Sequence, residues 1–161
     1  MKCFRVFAVV VGLTLSLSVS AAQNWASGGT EACMDNGQVL SVDNQKAIQL
    51  RSQQQSGYST RLLISGVVDE VFPDHSGHRH FSVKIGPNPN DHIEVIFNLS
   101  VGSLPVPTVG ETAEACGVYI VSTSQNGGFP PSPDGMIIHW VHSGGGGHDP
   151  GFVILNGQFY N

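Results

Sequence analysis

The chain has 161 residues, enough for one domain and short for two. Seven lysines and arginines stand against twelve aspartates and glutamates. That acidic balance argues against a simple polyanion-coating protein and does not favour a nucleic-acid partner, although a bound metal can supply local positive charge.

Residues 1–22 read as a cleavable export signal. Lys2 and Arg5 form a short positive region, 6–19 is apolar, and Ser20-Ala21-Ala22 offers small side chains to a signal peptidase. The apolar run of about 14 residues is shorter than the roughly 20 needed to span a bilayer. The expectation is therefore a bacterial periplasmic or secreted protein with no membrane span after signal removal. Cys33 and Cys116 remain in the mature chain, and an even pair in an oxidising compartment favours a disulfide.

Residues 23–57 read as an N-terminal extension with one short helix. From 23 to 36 the chain is polar and without period. The helix is expected over 41–54, capped by Asp43 or Ser41, with Ala47, Ile48 and Leu50 as a partial apolar face. Residues 58–161 read as the β domain. Strands are expected over 58–72, with a bend or bulge at Ser65-Gly66, and then over 80–85, 92–99, 111–122 and 136–142. Gly117 invites sharp curvature in the fourth. Between them, 73–77, 86–91 and 100–110 are turns or loops, and 124–135 is a flexible polar insertion. Asn156-Gly157 signals a final two-residue hairpin. Five main strands, frequent turns and one helix point to an all-β fold. A small OB-like five-stranded barrel comes first and a β-sandwich second.

All seven histidines lie in the mature chain, in two groups with His92 apart: His75, His78 and His80, then His139, His142 and His148. Imidazole is both the commonest protein metal ligand and the usual proton carrier near neutral pH. If the strands bearing His80 and His139 are adjacent, those two with His142 or His148 form a three-ligand site for a divalent ion such as zinc. Positions three apart on an ideal strand face opposite sides, so His139 and His142 share a site only if the strand ends or bulges near Val141. Strand histidines that merely hydrogen-bond a carbonyl are the plainer alternative. The four-glycine run reads as a mobile loop carrying His148 and Asp149 over the site, which makes these two the catalytic candidates. Asp74, Glu94 and Asp149 are the carboxylates nearest the histidine groups in sequence. Trp140 is the stacking candidate. Asn98 opens an Asn-Leu-Ser sequon that matters only in a eukaryotic secretory route.

The motifs Gly66-Val67-Val68, Gly77-His78-Arg79-His80, Asn98 and Gly110-Glu111, with His139-Trp140-Val141-His142, His148-Asp149-Pro150-Gly151 and Asn156-Gly157-Gln158-Phe159-Tyr160, carry a resemblance. Together they resemble a family of small exported bacterial proteins known as domain of unknown function 3465, over about residues 60–161. The resemblance implies a site drawn from His80, Asn98, His139, Trp140, His142 and His148, with Trp140 and Asn98 as ligand contacts. Two positions differ from that pattern. Phe97 replaces a histidine, which is expected to remove one polar group from the site, and Val141 replaces a threonine.

Three functions fit this sequence. One is a binding module for a small molecule or an oligomeric ligand, such as an oligosaccharide, peptide or nucleotide. Another is a metal-assisted hydrolase of phosphodiesterase or nuclease type. The third is a structural or interaction protein of the cell envelope.

Overall fold

The computed structural model describes residues 32–143 and 148–161. The expected export signal at 1–22 and the glycine run at 144–147 lie outside the described residues. Among the described residues no helix is long and apolar enough to cross a membrane.

Two short strands, β1 (Met34–Asp35) and β2 (Gln38–Val39), pair across Asn36-Gly37. Both turn residues have positive φ, 50° and 82°. Asn-Gly suits that turn, because Gly has no Cβ to clash and Asn tolerates the left-handed region. The hairpin falls partly in the stretch expected to lack structure; the Asn-Gly pair was its signal. Helix α1 (Asn44–Gln53) is capped by Asp43, whose Oδ1 accepts from the Lys46 amide at 2.9 Å.

Strands β3 (Ser59–Val71), β4 (His78–Lys84), β5 (His92–Asn98), β6 (Thr112–Val121) and β7 (Met136–His139) form a closed five-stranded OB-like barrel. Around it the order is β3-β4-β5-β7-β6, and β6 pairs back onto β3. All pairings are antiparallel except β5 with β7. Strand β3 is long enough to pair with β6 and then with β4. Where it changes partner, a side chain on Gly66 would strike the Lys84 carbonyl. The register shift itself lies between Val68 and Glu70, slightly beyond the expected bend.

Period-two alternation sends Phe81 and Val83 of β4, Ile93, Val95 and Phe97 of β5, and Tyr119 and Val121 of β6 inward. Ala47 and Leu50 of α1 join the same core, and the Tyr119 hydroxyl donates to the Ala47 carbonyl at 2.9 Å. The β-sandwich alternative is excluded by this closure.

One edge of β6 is shared by two strands. Residues 118–121 pair with β7, and residues 113–116 pair with β8 (Phe152–Leu155), which continues into β9 (Gln158–Tyr160). The change of partner falls at Gly117. Next to it the Cys33–Cys116 disulfide, with Cα atoms 5.6 Å apart, ties the N-terminal segment to β6 as expected.

Candidate histidine site

The two histidine groups meet. His78 and His80 project from the outer face of β4, opposite the core-facing Phe81 and Val83. His139, the last residue of β7, projects from the same outer surface. The His78 ring centroid lies 6.3 Å from His80 and 5.4 Å from His139. His75 reaches within 6.0 Å of His80 from the β3–β4 turn. The track continues from His139 to Trp140 at 5.1 Å, and from Trp140 to His148 at 4.9 Å and His142 at 5.8 Å. His142 and His148 stand 5.2 Å apart with nearly perpendicular rings. Six of the seven imidazoles and one indole thus form one continuous track of neighbouring rings.

The backbone at Trp140 makes this convergence geometrically workable. Strand β7 ends at His139, three residues earlier than the sequence pattern suggests. Trp140 then adopts φ +57°, a left-handed conformation uncommon for a large residue. The reversal buries Val141 completely in the core and leaves His142 only 5% exposed, beside Trp140. Two glycines accommodate it. A Cβ on Gly117 would lie 2.3 Å from the His139 carbonyl, and one on Gly151 would lie 2.1 Å from the Trp140 carbonyl. The Gly151 amide donates to the His142 carbonyl at 2.7 Å.

Hydrogen bonding sets the state of the rings. The Nδ1 atoms of His78, His142 and His148 each bond a backbone carbonyl, of Ser76, Ser143 and Asp149, at 2.9 Å. His80 Nδ1 bonds the Glu94 Oε1 at 2.7 Å. A carbonyl oxygen can only accept, so Nδ1 carries the proton and Nε2 of the neutral ring is left with a bare electron pair. The Nε2 atoms of His80, His142 and His148 are buried and have no hydrogen-bond partner among the described residues. Each such acceptor left unsatisfied costs about 1–3 kcal/mol. His139 is held neutral by its surroundings. Burial, reinforced by His78, His142, His80 and His148, lowers its pKa from 6.5 to about 4.

Several expected roles are corrected by these positions. Strands β4 and β7 are not adjacent, because β5 lies between them. Among the described residues no three His, Cys, Asp or Glu side chains already form a chelating group, so the expected ready-made triad of His80, His139 and His142 or His148 is not assembled. The Asp149 carboxylate does not orient His148; the Asp149 carbonyl does, while its Oδ2 accepts from the Asn36 amide at 3.1 Å. Asn98 pairs across the sheet with His78, and its Oδ1 closes its own turn on Ser100 at 2.9 and 2.6 Å. Phe97 is fully buried in the core, on the face of β5 opposite Glu94. It therefore takes nothing from the histidine surface.

Elsewhere on the outer face of β4 and β5 lies a polar cleft of about 610 Å³ that the sequence reading missed. His92 lines it, with Nδ1 at 3.3 Å from Asp69, and Ser82 donates to Asp134 at 2.7 Å. Burial raises the Asp134 pKa, partly offset by that hydroxyl. Its lining residues come from six separate segments, and no local pattern links them.

No protein-family model matches the chain, and no curated protein matches it.

Proposed function

We propose that this protein is an exported binding module that takes up a divalent transition-metal ion on the histidine-lined outer face of its barrel. The observation that carries the reading is the shared state of the rings. Nδ1 is tied to a carbonyl or carboxylate, and buried Nε2 electron pairs stay unpartnered among the described residues. Metal-ligating histidines are oriented in this way by outer hydrogen bonds. Imidazole donors suit zinc, copper and nickel.

His142 and His148 form the nucleus of the site. With nitrogen ligands at about 2.0–2.1 Å, a tetrahedral ion holds imidazole centroids roughly 5 Å apart. Their separation is 5.2 Å. Two protein ligands leave positions for water or a ligand atom, which is what a hydrolytic activity at this site would also require. The acidic chain adds long-range attraction for a cation. The disulfide suits an oxidising compartment, in keeping with the expected export signal. We also infer membership of the exported family that the motifs resemble, since the residues carrying that resemblance are largely those of this surface.

The test is zinc titration of purified, untagged protein stripped with a chelator, followed by calorimetry and thermal unfolding. Zinc at 100 times its Kd is expected to stabilise the fold by about 2.7 kcal/mol. His142→Ala and His148→Ala should each abolish that gain. An unchanged melting temperature and no heat of binding at millimolar zinc would reject the proposal.

A further inference from the structure

We infer that the polar cleft around His92 and Asp134 is a separate binding pocket for a small neutral saccharide. The inference does not depend on the metal-binding reading above and shares no residue with His142 and His148.

The cleft forms where the end of α1 and two loops meet the outer face of β4 and β5. Arg51 comes from the helix, Asn90 from the β4–β5 turn and Asp134 from the β6–β7 loop. Asp69 and Glu70 stand at the register shift of β3. The volume of about 610 Å³ falls within the range of small-molecule sites.

The walls are held in place before any ligand arrives. Ser82, only 1% exposed, donates its hydroxyl to the Asp134 Oδ2 at 2.7 Å. The Asp69 Oδ2 holds the His92 Nδ1 at 3.3 Å. Residues 132–135, expected as the end of a flexible insertion, are pinned to the barrel. The Ser122 amide donates to the Gly135 carbonyl at 2.9 Å, and the Ser132 amide donates to the Ser122 carbonyl at 3.0 Å. Groups fixed in this way lose little freedom on binding.

The chemistry of the lining selects the ligand. The Ser132 and Thr123 hydroxyls and the Asn90 amide both donate and accept, the carboxylates accept and the Arg51 guanidinium donates. A ligand that displaces water here must do both at several points, which clustered hydroxyl groups do. Burial favours the neutral form of Asp134, and a neutral carboxyl also donates as well as accepts. Anions are disfavoured. Asp69, Glu70 and Asp134 face the single guanidinium of Arg51, which the Asp91 carboxylate at 3.5 Å and the Asn90 carbonyl already engage. Among the described residues no Phe, Tyr or Trp lines the cleft, so a nucleobase finds no stacking partner. OB-type barrels bind oligosaccharides and oligonucleotides on their second and third strands and the loop between the fourth and fifth. Those elements are β4, β5 and the β6–β7 loop here, and the charge and the missing rings favour the saccharide.

Nuclear magnetic resonance titration of the isotope-labelled protein tests this. The probes are glucose, galactose, N-acetylglucosamine and cellobiose, with putrescine as a cationic control. At least one sugar should shift the amides of Asn90, His92 and residues 132–135, with a Kd of about 1 mM. Asp134→Asn keeps an acceptor for Ser82 and should retain the sugar affinity within about threefold, whereas Asp134→Leu should lower it at least tenfold. The spectrum of each variant shows whether it is folded. His142→Ala should leave sugar binding unchanged, which separates this pocket from the metal site. No shifts in these residues with any sugar at about 100 mM would overturn the inference. Shifts with putrescine alone, lost in Asp134→Asn, would make the cleft an organic-cation site and equally overturn it. Undiminished sugar affinity in Asp134→Leu would place the binding outside the cleft.

Discussion

Gly151 lies directly against the carbonyl of Trp140: a Cβ added there would stand 2.1 Å from that oxygen and 2.6 Å from the carbonyl of Cys116. Both obstacles are backbone, so neither can rotate away. Gly151→Ala is therefore expected to destabilise the protein by roughly 3 kcal/mol. It should also shift Trp140 fluorescence, because the indole is carried on the displaced peptide. Urea unfolding checks the first effect, and a loss below about 0.5 kcal/mol would show that the crossing has slack not evident in its geometry.

Trp140 itself sits in a backbone region that costs an L-residue roughly 1–2 kcal/mol. The residue is 42% exposed, so removal of its side chain forfeits limited burial. Trp140→Gly should leave stability within about 1 kcal/mol of the parent, because relief of strain offsets the lost contacts. Trp140→Val, with a β-branched side chain in the same conformation, should be less stable than Trp140→Gly by at least about 1 kcal/mol. Equal denaturation midpoints for the two variants would contradict the strain argument.

The depressed pKa of His139 makes a signed prediction for the metal-free protein. Between pH 6.5 and about 4 the unfolded chain binds a proton at this residue that the folded chain refuses. The unfolded state then holds more protons, so stability is fully present above pH 6.5 and is lost as pH falls through the window. The loss amounts to at most roughly 3 kcal/mol by pH 4. His139→Gln should flatten the slope of unfolding free energy against pH across this range. A variant with the parent's slope would place the pH sensitivity elsewhere.

Breaking the disulfide should be costly. Cys33 and Cys116 are 83 residues apart in sequence, and a closure of that length contributes roughly 4 kcal/mol in the chain-entropy treatment. The paired substitution Cys33→Ala with Cys116→Ala should lower the stability by about that amount in urea. It should also weaken metal uptake, because the freed N-terminal hairpin carries the Asn36 amide that holds Asp149 next to His148. Unaltered zinc affinity in the double variant would separate the hairpin from the site.

Much of the fold was legible in local patterns. The alternation of Phe81, Val83 and Ile85 placed His80 on the outer face, and Asn156-Gly157 marked the last hairpin. The helix began at one of its two candidate caps, Asp43. The histidine groups were visible as groups, and the need for a break near Val141 followed from the geometry of an ideal strand. What escaped was the state of each ring, since Nδ1 partners such as the Ser143 carbonyl are a matter of backbone direction. The polar cleft at His92 and Asp134 escaped because its walls come together only in the closed barrel.

Residue order by itself determined the local features: the capped helix, the alternating strands, the Asn-Gly turns and the pairing of Cys33 with Cys116. These depend on contacts between near neighbours or on simple counting. Only the tertiary structure decided that β5 would lie between β4 and β7, that β8 would take over the edge of β6 from β7 beside Gly117, and that Trp140 would turn left-handed there. Those outcomes depend on which distant segment wins a shared row of backbone donors and acceptors, and that competition leaves no period in the sequence.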